Sequence, residues 1–184
     1  MLVSQIMSRD VITVRKESTL REAATKLFQN KISGLVVVDE SNKILGIVSE
    51  KDLYKVIYPD YDEVVNGDKK PAIRGSEEPS GSRREEAENN AAEIQNINVA
   101  EFMTRNVETV SSTDPIMKAG AIMLIKKINR LPVVDEEGKV IGIVSRRDVY
   151  GEVMRVELGV EIKPEYEIKY QSKLKEKFKK LFGK

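Results

Sequence analysis

The sequence contains one segment twice. A shift of 96 positions aligns Val3–Tyr54 with Val99–Tyr150 without a gap, and 21 of the 52 aligned residues are identical. Identity over this length within one chain indicates the duplication of a supersecondary unit. Because a unit of roughly 55 residues is marginally stable alone, we expect the two copies to pack sheet to sheet with pseudo-twofold symmetry and to share a core.

Each copy has the pattern of a β-α-β-β-α unit, which predicts an α/β (α+β) fold. The β-branched runs Val11–Val14 and Val107–Val110 predict short first strands. In the helix that follows, Pro115 at the first helical position predicts Asp114 as the N-cap, and Ser18 occupies the same place in the first copy. Apolar or small residues recur on one predicted buried face of these helices, namely Leu20, Ala23, Ala24, Leu27 and Phe28, and Ile116, Ala119, Gly120, Met123 and Leu124.

A β-hairpin and a second helix complete each copy. Asn42 and Gly138 occupy the predicted turns, because these residue types tolerate positive φ. The hairpin strands are almost continuously apolar, which predicts burial on both faces. Ser49 and Ser145 are placed to cap the second helices. The predicted strands are Leu35–Val38 with Ile44–Val48 and Leu131–Val134 with Val140–Val144, and the predicted second helices are Glu50–Tyr58 and Arg146–Glu157.

The segments outside the copies have opposite charge. We divide the chain into copy 1–58, linker 59–97, copy 98–158 and tail 159–184. The region Pro59–Asn98 carries ten acidic and five basic residues, and Gly67–Glu88 is predicted to be a flexible loop that acts as a tether. Lys169–Lys184 holds seven Lys and one Glu, with apolar residues on one helical face. This predicts a tail helix that docks on the domain or in a dimer, or alternatively one that binds an anionic membrane or a nucleic acid.

Composition excludes several chemistries. The chain has no Cys and no His, so thiolate nucleophiles, imidazole bases and Cys/His metal sites are absent. Neither a Walker loop nor a GxGxxG motif is present, and we predict that the protein is not an enzyme. The net charge of +1 gives no bulk attraction to nucleic acid. Without an apolar run of membrane-spanning length or a signal-peptide pattern, we expect a cytoplasmic protein, and the abundance of Lys and Glu fits a thermophile.

The motifs Gly46–Asp52 (GIVSEKD) and Gly142–Asp148 (GIVSRRD) resemble the signature of the cystathionine β-synthase (CBS) domain. The VVDE segments before them and the openings Met7–Val11 and Met103–Val107 are similar to the same family. The resemblance implies a tandem CBS pair, or Bateman module, with no cofactor and no catalysis. Such pairs bind AMP, ADP, ATP or S-adenosylmethionine in clefts between the repeats, commonly form homodimers, and regulate other proteins.

The Ser-x-x-Asp corners are the candidate ligand site. An ionised Asp52 or Asp148 at a helix start can accept hydrogen bonds from the two hydroxyls of a ribose. The hydroxyls of Ser49 and Ser145, with free N–H groups of the helix starts, would form an anion site for phosphate. The same spacing is also a capping box, which is purely structural, and spacing alone leaves both interpretations open.

The family pattern adds further ligand-binding residues. Adenine would lie beside the first strands, at Ile12 and Glu108, and the residues around the opening of each hairpin would line the clefts. These are Ser33 and Gly34 in the first copy and Asn129, Arg130 and Pro132 in the second. The second copy has Arg130, Arg146 and Arg147 where the first has Gly34, Glu50 and Lys51. Because guanidinium binds phosphate bidentately, we predict that the Asp148 site takes the phosphorylated ligand.

Overall fold

We describe residues 1–58 and 92–160 of the computed structural model. The predicted acidic loop and basic tail helix lie outside the described residues. Within the described part, residues 12–58 and 92–107 form one compact unit, here called the first unit. Residues 1–11 and 108–160 form the second unit.

The first unit contains a three-stranded sheet together with helices. Strand β1 is parallel to β2, and β2 is antiparallel to β3, which gives the order β1-β2-β3. All four residues of Leu35–Val38 are buried, as predicted, whereas β3 alternates between more and less buried residues. The elements are β1 (Thr13–Arg15), α1 (Leu20–Asn30), β2 (Gly34–Val38), β3 (Ile44–Ser49), α2 (Glu50–Ile57) and α3 (Val99–Phe102).

The second unit repeats this arrangement. Its sheet has the order β4-β5-β6, with β4 parallel to β5 and β6 antiparallel to β5. The β-α-β-β-α order of both copies is therefore confirmed, as are the positive φ angles of Asn42 (64°) and Gly138 (78°). The elements are a 3-10 turn (Val3–Gln5), β4 (Val110–Ser111), α4 (Ile116–Lys126), β5 (Arg130–Val134), β6 (Val140–Ser145) and α5 (Arg146–Leu158).

The first strands begin later than predicted. The parallel ladder starts at Thr13, opposite Val36, rather than at Val11. The amide of Val11 instead donates locally to the carbonyl of Arg9 at 3.0 Å. In the second copy the ladder starts at Val110, opposite Val133. The residues of the β-branched run before Val110 therefore do not pair in the sheet.

The N-caps of α1 and α4 also differ from the prediction by one residue. Thr19, not Ser18, caps α1, because its hydroxyl accepts from the amide of Glu22 at 3.2 Å while the Glu22 carboxylate accepts from the Thr19 amide at 3.1 Å. This reciprocal pair is a capping box. In the second copy Pro115 takes the N-cap position, and the carboxylate of Asp114 accepts from the amide of Ser111 at 2.9 Å.

The predicted buried face of these helices is too wide. Leu20, Ala23 and Leu27 are buried, but Phe28 is 84% exposed. In the second copy Leu124 is 67% exposed. A residue eight positions along an α-helix is rotated by about 80° from the first, and this rotation carries both side chains away from the sheet.

The opening segment of each copy belongs to the unit of the other copy. Ser8 and Ile143 exchange two backbone hydrogen bonds of 2.9 Å, and Thr104 and Ile47 do the same. The preceding methionines pack over glycines of the hairpins. A Cβ added at Gly142 would lie 2.6 Å from Met7 Sδ, and one added at Gly46 would lie 2.8 Å from Met103 Sδ. The glycines of the GIVS motifs are therefore required by packing.

A charged residue is buried in α5. Glu152 is 7% exposed, and its carboxylate accepts hydrogen bonds from Nε of Arg155 at 2.9 Å and from Nη2 of the same residue. The hydrogen bond from Arg155 lowers the pKa of Glu152, and this effect outweighs burial, which acts to raise the same pKa. At the equivalent position the first copy has Val56, which packs against the apolar core of its unit.

We predict that Gly46→Ala lowers the free energy of unfolding by about 1–3 kcal/mol. The added methyl would also lie 2.9 Å from the backbone oxygen of Thr104, which cannot rotate away as a side chain can. Urea denaturation measures the change. Gly34→Ala is the matched control, because its Cβ would meet nothing closer than 3.5 Å. Equal stability of the two variants would contradict the packing role of Gly46.

A second prediction concerns acid stability. Because the pKa of Glu152 is lowered in the folded protein, its ionised form contributes stability above the pKa of the unfolded chain, and this contribution is lost as the pH falls through the folded pKa. Glu152→Gln should therefore show a smaller loss of thermal stability between about pH 5 and pH 3 than the wild type. Glu157→Gln, at an exposed position of the same helix, should follow the wild-type curve.

Candidate functional site

The predicted ligand residues of each copy meet at one edge of its sheet. Because β1 and β2 are parallel, their starts lie at the same edge, and the antiparallel β3 ends there with Ser49 opposite Gly34. Ile12 directly precedes β1. In the second copy the same edge carries Arg130 opposite Ser145. Each predicted set falls within a single unit, with Ile12 in the first and Glu108 in the second.

The first corner is a complete capping box. The amide of Ser49 donates to Asp52 Oδ2 at 2.9 Å, and the Ser49 hydroxyl donates to the same oxygen at 2.5 Å. In return, the amide of Asp52 donates to Ser49 Oγ at 3.4 Å. Both side chains are partly buried. The structural interpretation of the Ser-x-x-Asp spacing is therefore confirmed for this copy.

The second corner has the same three bonds, with separations that differ by at most 0.2 Å from those of the first. Asp148 Oδ2 accepts from the amide of Ser145 at 2.8 Å and from its hydroxyl at 2.7 Å. The amide of Asp148 donates to Ser145 Oγ at 3.2 Å. The duplication thus preserves the corner in atomic detail.

The capping box leaves half of each carboxylate available. An ionised carboxylate offers about four acceptor positions on its two oxygens, and Oδ2 of Asp52 and of Asp148 uses two of them for the serine. Oδ1 of each accepts no hydrogen bond within the described part of the chain. Oδ1 can therefore accept hydroxyl groups of a ligand without breaking the helix cap.

The helix-start amides are less available than predicted. The amide of Glu50 donates to the carbonyl of Ser33 at 3.2 Å, and the amide of Arg146 donates to the carbonyl of Asn129 at 2.8 Å. The serine hydroxyls, which were expected to face an anion, give their protons to the aspartates. Charged side chains near the corner would therefore contribute more to the attraction for phosphate than these amides and hydroxyls.

Such side chains distinguish the two copies. In an antiparallel pair, residues directly opposite each other project from the same face, with Cβ atoms about 4.5–5.5 Å apart. Arg130 thus lies on the same face as Ser145, whereas Gly34 opposite Ser49 brings no charge. Arg147, at the second position of α5, is exposed.

The remaining predicted residues have different environments. Ile12 packs against the apolar core of the first unit. The carboxylate of Glu108 lies 2.9 Å from Nζ of Lys126, an ion pair that sequence reasoning did not find because the two residues are far apart along the chain. Pro132 is buried within β5, opposite Ile143. Sequence reasoning also missed the hydrogen bonds that the carbonyls of Ser33 and Asn129 accept from the first amides of α2 and α5. Any residue type can supply a backbone carbonyl, so the sequence gives no sign of these bonds.

The described residues contain neither a cluster of metal ligands nor a helix able to cross a membrane. No group of three or more acidic side chains is placed to hold a metal ion in residues 1–58 and 92–160. In the same part of the chain, no helix has both the length and the apolar character needed to cross a bilayer.

Comparison with known proteins identifies the repeated unit. The CBS domain model matches residues 3–59 and 99–155, which together are more than half of the chain. An uncharacterized protein of Methanocaldococcus jannaschii, MJ1426, is 32% identical over 150 residues, which cover 81% of this chain and 89% of the relative. A homoserine O-acetyltransferase of Methanohalobium evestigatum is 29% identical over 147 residues, but the match covers 80% of this chain and only 23% of that enzyme.

Solved structures agree with this assignment. The CBS domain pair of protein MJ0100, solved in complex with 5′-methylthioadenosine and S-adenosyl-L-methionine, superimposes with a TM-score of 0.60 at 26% identity. The superposition covers 83% of this chain and 95% of that structure. The chain therefore belongs to the CBS domain family and contains two copies of the domain, with the mixed α/β fold of a CBS pair.

Proposed function

We propose that the protein is a regulatory module that binds adenosyl ligands at its Ser-x-x-Asp corners. The observation that carries the proposal is the pair of aspartates, Asp52 and Asp148, each of which is fixed by its serine through Oδ2 and keeps Oδ1 for a ligand. The similar CBS pair in complex with 5′-methylthioadenosine and S-adenosyl-L-methionine supports this ligand class.

The chemistry of ribose suits a carboxylate held in this way. A fixed, ionised acceptor gains charge-assisted hydrogen bonds from hydroxyl groups, and its orientation costs no further side-chain entropy on binding. The serine therefore has an indirect role, because it positions the aspartate. Its own hydroxyl proton stays committed to Oδ2.

We further propose that the two corners prefer different ligands. The second corner, with Arg130 on the face of Ser145 and Arg147 at the helix start, suits an adenosyl ligand that carries phosphate, such as AMP, ADP or ATP. The first corner, with Gly34 in place of Arg130, suits a less charged ligand, such as 5′-methylthioadenosine or S-adenosylmethionine.

Regulation would follow from a shift between conformations. A ligand changes the conformational equilibrium only to the extent that it binds one conformation more tightly than another. A second copy of the chain or a separate regulated protein would respond to the selected conformation. The proposed role is non-catalytic, so incubation with adenosyl compounds should leave them chemically unchanged.

Asp148→Asn tests the ribose contact. Loss of the charge at Oδ1 should weaken AMP binding about tenfold or more, since hydrogen bonds to charged groups contribute about 1.5–3 kcal/mol. Isothermal titration calorimetry measures the affinity. The equivalent variant Asp52→Asn is the matched control and should leave the AMP affinity of the second corner unchanged. If Asp148→Asn binds AMP as the wild type does, while remaining folded by circular dichroism, the ribose role of Asp148 is wrong.

An arginine exchange tests the preference for phosphate. Arg130→Ala should lower the affinity for AMP about tenfold more than the affinity for 5′-methylthioadenosine, because the second ligand has no phosphate. Gly34→Arg should confer AMP binding on the first corner, where an added Cβ would lie no closer than 3.5 Å to its nearest neighbour. Lys127→Ala, which removes an exposed cation near the same hairpin, is the control and should leave the ratio of the two affinities unchanged. An unchanged ratio in Arg130→Ala would refute the assignment.

A further inference from the structure

Arg146 places a positive charge where a helix favours a negative one. It is the first residue of α5, and its side chain is exposed. The N–H groups at a helix start carry partial positive charge, so acidic side chains stabilise this position and basic ones oppose it. The first copy follows the preference, since Glu50 begins α2. The second copy therefore carries a charge that its own helix does not favour.

No contact within the described part of the chain compensates this charge. In residues 1–58 and 92–160 the guanidinium of Arg146 forms neither a hydrogen bond nor an ion pair. The carboxylate of Asp148 is oriented by its two bonds with Ser145, and that of Glu108 is paired with Lys126. Natural sequences break local rules mainly at functional sites. The uncompensated charge at the start of α5 therefore indicates a role in binding.

The backbone brings Arg146 beside the other arginines of the second corner. Its amide donates to the carbonyl of Asn129 at 2.8 Å. Arg130, the next residue after Asn129, lies opposite Ser145 in the β5–β6 ladder. Arg147 follows Arg146 on the helix. The guanidinium groups of the corner thus come from two segments of the chain that meet at one edge of the sheet.

The second corner has more positive charge than one phosphate requires. A phosphate monoester carries a charge of about −1.5 to −2 at pH 7, which Arg130 and Arg147 together neutralise. Arg146 is then a surplus cation for AMP, whereas a second phosphate would compensate it. The first corner has the opposite balance, with the ammonium of Lys51 beside the carboxylates of Glu50 and Asp52.

We propose that Arg146 selects adenosine nucleotides with more than one phosphate, ADP and ATP, over AMP at the second corner. The inference rests on the proposed function, in which Asp148 binds the ribose and Arg130 and Arg147 attract the first phosphate. Arg146 binds the second phosphate, for which its planar guanidinium offers a bidentate pair of donors. Glu50, at the equivalent position of the first copy, repels that phosphate.

The exposure of these residues suits a chain of phosphates that leads outwards. Asp148 and Arg130 are partly buried, whereas Arg146 and Arg147 are exposed. A ribose held at Asp148 would place further phosphates towards solvent, where they keep part of their hydration. An anionic membrane fits less well, because its recognition takes clusters of about four to eight basic residues.

Arg146→Ala tests the selection in the full chain. Wild-type protein should bind ADP at least about tenfold more tightly than AMP, since hydrogen bonds to charged groups are the strong ones. Arg146→Ala should lower the ADP affinity by about the same factor and leave the AMP affinity within about twofold. Isothermal titration calorimetry measures both affinities. Lys127→Ala, which removes another exposed cation near the hairpin, should leave their ratio unchanged.

The outcomes separate this inference from the proposed function. Equal binding of AMP and ADP by the wild type would overturn the role of Arg146 and leave the proposed function standing. So would an equal loss of both affinities in Arg146→Ala, which would place Arg146 at the first phosphate. Failure of the wild type to bind AMP, ADP and 5′-methylthioadenosine would refute both.

Arg146→Glu gives a second measurement, in which stability and binding change in opposite directions. The variant has the acidic residue that the helix start favours, so the melting temperature without ligand should rise by about 1–5 °C. The ADP affinity should fall at least about 100-fold, because an attraction becomes a repulsion. Glu50→Arg, the matched exchange in the first copy, should lower the melting temperature. A lower melting temperature for Arg146→Glu would show that the fold itself needs Arg146 and would overturn the proposal.

Discussion

The hydrogen bonds between a serine and the aspartate three residues later hold the fold and the candidate site together. In each copy the serine ends a strand and begins a helix, and the aspartate satisfies donors at that junction. Two orphan groups of the helix start are thereby paired. The same bonds fix the direction of the carboxylate. Structural and ligand-binding interpretations of the motif are therefore compatible, since the cap uses one oxygen and leaves the other.

Duplication followed by divergence accounts for the differences between the copies. Positions that face the sheets keep their apolar character, as Ala23 and Ala119 do. Positions outside the core have changed in charge or polarity, as in Gly34 and Arg130. The fold does not constrain these outer positions, so they can change in one copy without loss of structure. A distinct ligand preference or an interface can arise there.

The sequence was sufficient to predict the order of elements, the hairpin turns and the serine caps of α2 and α5, because these follow from local patterns. It misplaced the ends of the first strands, since the pairing of Thr13 with Val36 depends on a partner far along the chain. It assigned Phe28 to the core from spacing, although a three-stranded sheet covers a narrower strip of the helix. At the site, the hydrogen bond that the Ser33 carbonyl accepts from the amide of Glu50 could not be predicted, since any residue type can supply a backbone carbonyl.

The exchange of opening segments has a consequence for how the chain acquires its structure. The opening segment that completes the second unit includes Ser8, which forms a backbone bridge with Ile143 more than 130 residues later. Folding rates fall as the sequence separation of contacting residues grows, and a nascent polypeptide emerges from the ribosome N-terminus first. The first eleven residues therefore cannot complete their native contacts until nearly all of the second copy has been synthesised. Met7, which packs over Gly142 in the folded protein, would lack this apolar contact throughout that interval.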